Sequence, residues 1–277
     1  MSQILASGAA RKMLTKLESP VQYALQLGEQ EVDMNALLGE QLELEHLGAI
    51  NCVSCDRLTK KSFNQGYCYP CFTRLASCDS CIMSPEKCHY AAGTCREPEW
   101  GERNCMTDHF VYLANSSGVK VGITRGNQIP TRWMDQGAVQ ALPVFRVATR
   151  LLSGLVETVY KQHIADKTNW RAMLKGDVED LDLTAVRDTL AEQCAAELAG
   201  LQDTHGLQSI TALTDESQIE IAYPVIEHPV KVTSFNLDKQ PLVTGKLMGI
   251  KGQYLIFDGG VINLRKYGGY QLELRQL

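Results

Sequence analysis

Nine of the ten cysteines fall between Cys52 and Cys105, and only Cys194 stands apart. Clustering of this kind in a chain without a secretory signal points to metal ligation by thiolates rather than to a disulfide framework. The first group is Cys52-Val-Ser-Cys55, then twelve residues, then Cys68-Tyr-Pro-Cys71. Each CxxC forms a tight turn that aims two thiolates at one ion, and the intervening residues suffice for a hairpin that brings the pairs together. Four such sulfurs suit zinc in a closed, structural site. Gly66, just before the second pair, fits the turn. The second group is Cys78-Asp-Ser-Cys81, Cys88, Cys95 and Cys105, with His89 and His109 nearby. It holds more candidate ligands than one ion needs. Zinc is the first candidate there, and an iron–sulfur cluster is the alternative that four thiolates and irregular spacing leave open. His89 and His109 read as packed or surface histidines, and Cys194, in AEQCAAEL, as a small core residue.

The stretch 51–107 that carries these cysteines is rich in Gly, Pro, Ser and Cys and has little core of its own, so its folding depends on its ions. Ahead of it, 1–50 reads as a short lead followed by strands at 21–27 and 41–47 around a turn-rich 28–33. Behind it, 109–114 and 119–124 read as a β-hairpin closed by Asn115-Ser116-Ser117-Gly118. A helix at 131–136 opens after Pro130, and a strand follows at 140–148. A helix at 151–167 carries an apolar stripe of Leu152, Leu155, Val156, Val159 and Ile164. A further amphipathic helix spans 183–201. The last third reads as short strands at 230–235, 242–250, 253–257 and 269–274, punctuated by Gly and Asp-Gly turns. That spacing predicts a small antiparallel sheet or barrel. The expected architecture is α+β, in five pieces: 1–50, 51–107, 108–176, an acidic helical 177–222, and 223–277.

With 277 residues, 44% hydrophobic and 21% charged, the chain has the balance of a globular protein of more than one domain. No run approaches the roughly 18 apolar residues of a membrane-spanning helix, and the first residues contain no signal-peptide core. A cytoplasmic protein without a membrane partner is expected. The net charge of −5 conceals an asymmetry: residues 119–175 hold nine Lys/Arg against three Asp/Glu, and 176–222 one Arg against eleven acids. A basic module beside an acidic one can present a phosphate-binding surface. Trp133 and Trp170, in the basic module, are candidates to stack on bases.

The hairpin–helix–strand–helix piece at 109–175 resembles the GIY-YIG nuclease domain, over about a quarter of the chain. Its first signature falls on Phe110-Val111-Tyr112 and its second on Lys120-Val121-Gly122. The family's arginine matches Arg132 in IPTRWMDQG, its metal-binding glutamate matches Glu157 in GLVETVYKQH, and an asparagine matches Asn169 loosely. Phe-Val replaces Gly-Ile in the first signature, and Lys120 stands where the family usually has tyrosine. Across its length, with CYPCF, CHYAAGTC, GVKVGITR and KLMGIKGQYLIF, the chain is also similar to a bacterial family described as a domain of unknown function, DUF2797. The fold implied is a GIY-YIG-like mixed domain attached to a zinc-ribbon-like module and flanked by small β-rich segments.

The resemblance implies a metal-dependent endonuclease acting on DNA or RNA. Tyr112 and Lys120 would manage the proton, Arg132 the phosphate, and Glu157 a Mg²⁺ or Mn²⁺ ion. Structural zinc would be held by Cys52, Cys55, Cys68 and Cys71. Cys78, Cys81, Cys88, Cys95 and Cys105 are the candidates for the second centre. Two alternatives stand beside this reading: a non-catalytic zinc-containing nucleic-acid-binding protein, and an iron–sulfur redox sensor.

Overall fold

The computed structural model describes residues 2–277. Strands β1 (Gln3–Ala9), β2 (Leu14–Lys16), β3 (Gln22–Leu27), β4 (Gln30–Asp33) and β5 (Gln41–Ile50) precede the cysteine-rich stretch. That stretch holds the short helices α1 (Tyr69–Arg74), α2 (Ser80–Met83) and α3 (Pro98–Cys105). The middle runs β6 (His109–Asn115), β7 (Val119–Arg125), α4 (Thr131–Asp135), β8 (Gln140–Val147), α5 (Arg150–Tyr160) and α6 (Trp170–Lys175). It continues through α7 (Leu183–Gln193), α8 (Ala195–His205), β9 (Ile210–Ala212) and β10 (Ile219–Glu220). Strands β11 (Leu242–Lys251), β12 (Tyr254–Phe257), β13 (Gly260–Asn263) and β14 (Tyr270–Gln276) complete the α+β fold.

The two ends of the chain, read from the sequence as separate pieces, build one six-stranded sheet in the order β1-β14-β5-β11-β12-β13, antiparallel throughout. Strand β5 pairs on one side with β14 and on the other with β11, so neither terminal segment completes its hydrogen-bond ladder without the other. Alternation along these strands turns Leu42 and Leu44 of β5, Val243 and Leu247 of β11, and Leu272 and Leu274 of β14 into one core. Strand β1 lies within the expected lead and forms an edge of this sheet.

The expected hairpin is realised as β6 and β7 of a second sheet, in which β8 pairs on the other side of β6 and β7 lies at an edge. Strands β9 and β10 both pair with β8, at opposite ends. Val111, Leu113, Val121, Leu142 and Val144 pack on one face of this sheet against Leu152, Val156 and Val159 of α5 and Leu190 and Leu198 of α7 and α8. The 183–201 helix proves to be two, meeting at Cys194, whose side chain is fully buried and whose backbone leaves helical geometry (φ −100°, ψ 5°). The bend lets both halves lay their leucines on the same core. Helix α5 ends earlier than its stripe suggests, because Ala165 forms a parallel bridge to Lys120 and accepts the Val121 N–H at 2.9 Å. The 230–235 stretch is no strand: it meets β13 only around Ser234 and Val261. Among the described residues, no helix is long and apolar enough to cross a membrane.

Candidate functional site

The first four cysteines converge. The sulfurs of Cys52, Cys55, Cys68 and Cys71 all lie within 4.8 Å of one another, with Cys55 Sγ and Cys68 Sγ 3.7 Å apart. Zn–S bonds of about 2.3 Å at tetrahedral angles place sulfurs roughly 3.8 Å apart, so this group could hold a zinc ion. Two turns shape it. Asp56, after the first pair, and Asn64 and Gln65, before the second, adopt positive φ, and Gly66 has φ +135°. A Cβ on Gly66 would lie 2.5 Å from a Val53 methyl carbon, so glycine is required on both counts. Burial opposes ionisation of Cys52, but backbone N–H groups of Cys68, Cys55 and Ser54 outweigh it and bring the thiol down to about 6. Burial and the three neighbouring thiols push Cys71 up to about 12. Like charges so close do not coexist without a cation among them.

The second group divides. Cys81, Cys88, Cys95 and Cys105 line a common cavity between α2 and α3. Cys78 is buried but is not among the residues that line this cavity. His89 is no isolated surface group, since its Nε2 lies 3.4 Å from Asp79 Oδ2 and Asp79, Cys81 and His89 form a compact trio. His109 is fully buried, and desolvation lowers it to about 4, leaving a neutral ring whose Nδ1 is 2.8 Å from the Thr107 carbonyl.

A polar cluster forms where β6, β7, α4 and α5 meet. Tyr112 and Lys120, 0% and 4% exposed, both donate to Gln136 Oε1, at 2.9 and 2.8 Å. The Arg132 guanidinium lies beside both donors. Gly122 pairs directly across from Tyr112, and any Cβ there would lie 2.6 Å from the phenol oxygen, so this glycine makes room for the ring. Glu157 faces Lys120 electrostatically and sits 3.3 Å from Lys161 Nζ, which is equally 3.3 Å from Asp166. Burial lowers Lys120 to about 8, with Arg132 acting in the same direction. Burial raises Tyr112, overcoming the opposing Arg132, so the phenol is not the acidified group a proton-abstracting tyrosine would need. Burial also raises Glu157, partly offset by Lys161.

Gln136, Lys161 and Asp166 are cluster members that sequence reasoning missed. Lys161 had a signal, the i,i+4 spacing from Glu157 on one helix face; Gln136 had none. Asn169 caps α6, its Oδ1 accepting the Ala172 N–H at 3.3 Å. Trp133 is a core residue, 3% exposed and edge-on to Tyr112 at 5.9 Å, which removes it as a stacking platform. Trp170 stacks on Tyr254 at 5.6 Å with Arg171 over its ring. The basic stretch is less of a surface than its count suggests: Lys120 points inward, Arg125 bonds Asn104, and Arg150 donates to the Ile82 carbonyl at 2.7 Å.

A family model described as "Protein of unknown function (DUF2797)" matches residues 39–272, which spans both cysteine groups, the polar cluster and most of the large sheet. The chain belongs to the DUF2797 family. No curated protein and no solved structure matches the chain.

The match includes some of the residues that position α4, the helix bearing Arg132 and leading to Gln136. Asp135, 5% exposed at its side chain, pairs with Lys12 at 2.7 Å and Arg265 at 3.8 Å and accepts from Gln253 Nε2 at 2.8 Å. Gln253 in turn bonds both backbone groups of Met13. Lys12 and Met13 lie outside the matched range, Gln253 and Arg265 inside it. The polar cluster is thus held from both ends of the chain.

Proposed function

We propose that this DUF2797 protein hydrolyses phosphodiester bonds in DNA or RNA through a GIY-YIG-like site built from Tyr112, Lys120, Arg132 and Glu157. The observation that carries the reading is their convergence. Residues chosen from the sequence at positions 112, 120, 132 and 157 come from four separate elements: Tyr112 and Lys120 share Gln136, and the charges of Arg132 and Glu157 both reach Lys120. Lys120 is the better proton acceptor: at about 8 a useful fraction is neutral near physiological pH, whereas the phenol is held protonated. Tyr112 then orients Gln136 and the attacking water. Arg132, only partly buried, presents the planar fork that grips nonbridging phosphate oxygens.

Glu157 and Asp166, which share Lys161, are the carboxylates that would hold a magnesium or manganese ion, which accepts one or two protein carboxylates and fills its remaining positions with water. Such an ion would neutralise charge developing on the leaving oxygen. Zinc at Cys52, Cys55, Cys68 and Cys71 is assigned a structural role, since four protein sulfurs leave no open position.

The test is a cleavage assay on mixed single-stranded, duplex and structured DNA and RNA with Mg²⁺ or Mn²⁺. It compares wild type with Glu157→Gln and Arg132→Ala, each checked for zinc content and helical signal. Loss of at least about 100-fold in rate in both variants is expected. Cleavage that survives in both would assign the activity to another site. No cleavage by wild type, with binding that weakens steeply as salt is raised, would replace the enzyme with a binding module.

A further inference from the structure

The second cysteine group has a chemistry of its own, independent of the nuclease reading. Cys81, Cys88, Cys95 and Cys105 line a common cavity, walled also by Ile82 and Trp100. Among the described residues, no three of these four sulfurs lie within 4.8 Å of one another, whereas all four sulfurs of the first group do. One zinc ion draws its sulfurs to about 3.8 Å apart, so the first arrangement suits an ion and the second does not. Thiolates spaced around a shared cavity suit a polynuclear centre, in which irons lie next to the protein sulfurs and inorganic sulfide fills the middle.

Two further observations point to a ligand that is negatively charged overall. Arg150, at the start of α5, lies close enough to Cys105 and Cys81 for their charges to interact. Its Nε is buried without a hydrogen-bond partner, although its Nη2 is used by Ile82. A buried guanidinium N–H left unpaired is costly, and an iron–sulfur cluster with four thiolate ligands supplies both the acceptor sulfur and the counter-charge. On the opposite wall, Gly101 of α3 admits Cys95: a Cβ there would lie 3.4 Å from its sulfur and 3.1 Å from the Tyr90 ring. Asp79, by contrast, already has its partners, Arg96 Nε at 2.8 Å and the Ser80 N–H at 2.6 Å, which makes it a wall rather than a ligand.

We propose that Cys81, Cys88, Cys95 and Cys105 bind a cubane-type iron–sulfur cluster, with Arg150 as its charge partner and Cys78 outside the ligand set. The cluster would also brace the polar site. Gly154 of α5 receives the Pro85–Lys87 turn so closely that a Cβ would be 2.6 Å from the Glu86 nitrogen. Arg150 and Glu157 lie seven residues apart on that helix, roughly 10 Å at 1.5 Å per residue.

The experiment uses the full chain, purified without oxygen or reconstituted with ferrous iron and sulfide. It measures iron, acid-labile sulfide, zinc and visible absorption. The expected result is a brown protein that bleaches with dithionite and carries about four irons and four sulfides beside one zinc. Cys88→Ser and Cys105→Ser should lose the iron and keep the zinc, while Cys78→Ser and His89→Gln keep both. A colourless wild type carrying zinc alone, or no second metal after reconstitution, overturns the proposal even if the cysteine variants fold poorly. A second metal lost in His89→Gln or Asp79→Asn but kept in Cys105→Ser also overturns it, in favour of a mononuclear Asp79–Cys81–His89 site.

Discussion

Lys120 is the residue whose chemistry departs furthest from its type. Burial, seconded by Arg132, lowers its ammonium from 10.5 to about 8, so the folded protein binds protons less readily than the unfolded chain between those values. The neutral form is the one the fold favours. Stability from this group is therefore lost as pH falls from 10.5 to 8, and the full cost remains at pH 7, at most roughly 3 kcal/mol at 1.36 kcal/mol per pH unit. Lys120→Met should accordingly be more stable than wild type at pH 7, by about 1–3 kcal/mol, with the gain shrinking as pH approaches 10. Urea titrations at the two pH values check this, and a variant less stable at pH 7 would show that Glu157 and Asp166 outweigh burial. On the proposed nuclease reading, the cleavage rate should rise as pH passes through about 8, where the neutral amine becomes the major form. The sequence placed this lysine in a nuclease-like signature. Its burial, and its shared acceptor Gln136, came from the packing of α4 over the hairpin.

Helix α5 shows the same division at the scale of an element. Its apolar stripe is readable from spacing alone, and Leu152, Val156 and Val159 do face the second sheet. Spacing could not show that the opposite side carries Gly154 against the Pro85–Lys87 turn, because that contact joins segments about seventy residues apart in the chain. Gly154→Ala would drive a methyl to 2.6 Å from the Glu86 nitrogen and 2.9 Å from the Pro85 carbonyl carbon, and backbone atoms do not yield as a flexible side-chain end does. We expect a loss of about 1–3 kcal/mol despite the better helix propensity of alanine. Hydrogen exchange across 81–105 should speed up in the variant. Unchanged melting and unchanged exchange would show that the cysteine module does not lean on this helix.

At the scale of the molecule, β5 is the centre of gravity. It pairs with β14 and β11 from the far end of the chain, and Asp135 is tied to Lys12 on one side and to Gln253 and Arg265 on the other. A chain truncated after residue 222 should lose both neighbours of β5 and the Gln253 and Arg265 contacts that support α4. It is expected to be insoluble or to show no cooperative thermal transition by circular dichroism. A cooperative transition in that fragment would mean that the middle sheet folds without the large one.

Local chemistry alone determined the CxxC pairs and their convergence, the hairpin at 109–125, and the residue types available for phosphate chemistry. Each rests on short-range turn geometry, β-alternation or helical period. Tertiary structure decided three other matters. It gathered Cys81, Cys88, Cys95 and Cys105 around one cavity that Cys78 does not line, joined the two chain ends into one sheet, and withdrew Trp133 and Lys120 from the surface. Those outcomes depend on contacts between residues far apart in the chain, where strand pairing and burial outweigh local preference and leave no mark in any short stretch of sequence.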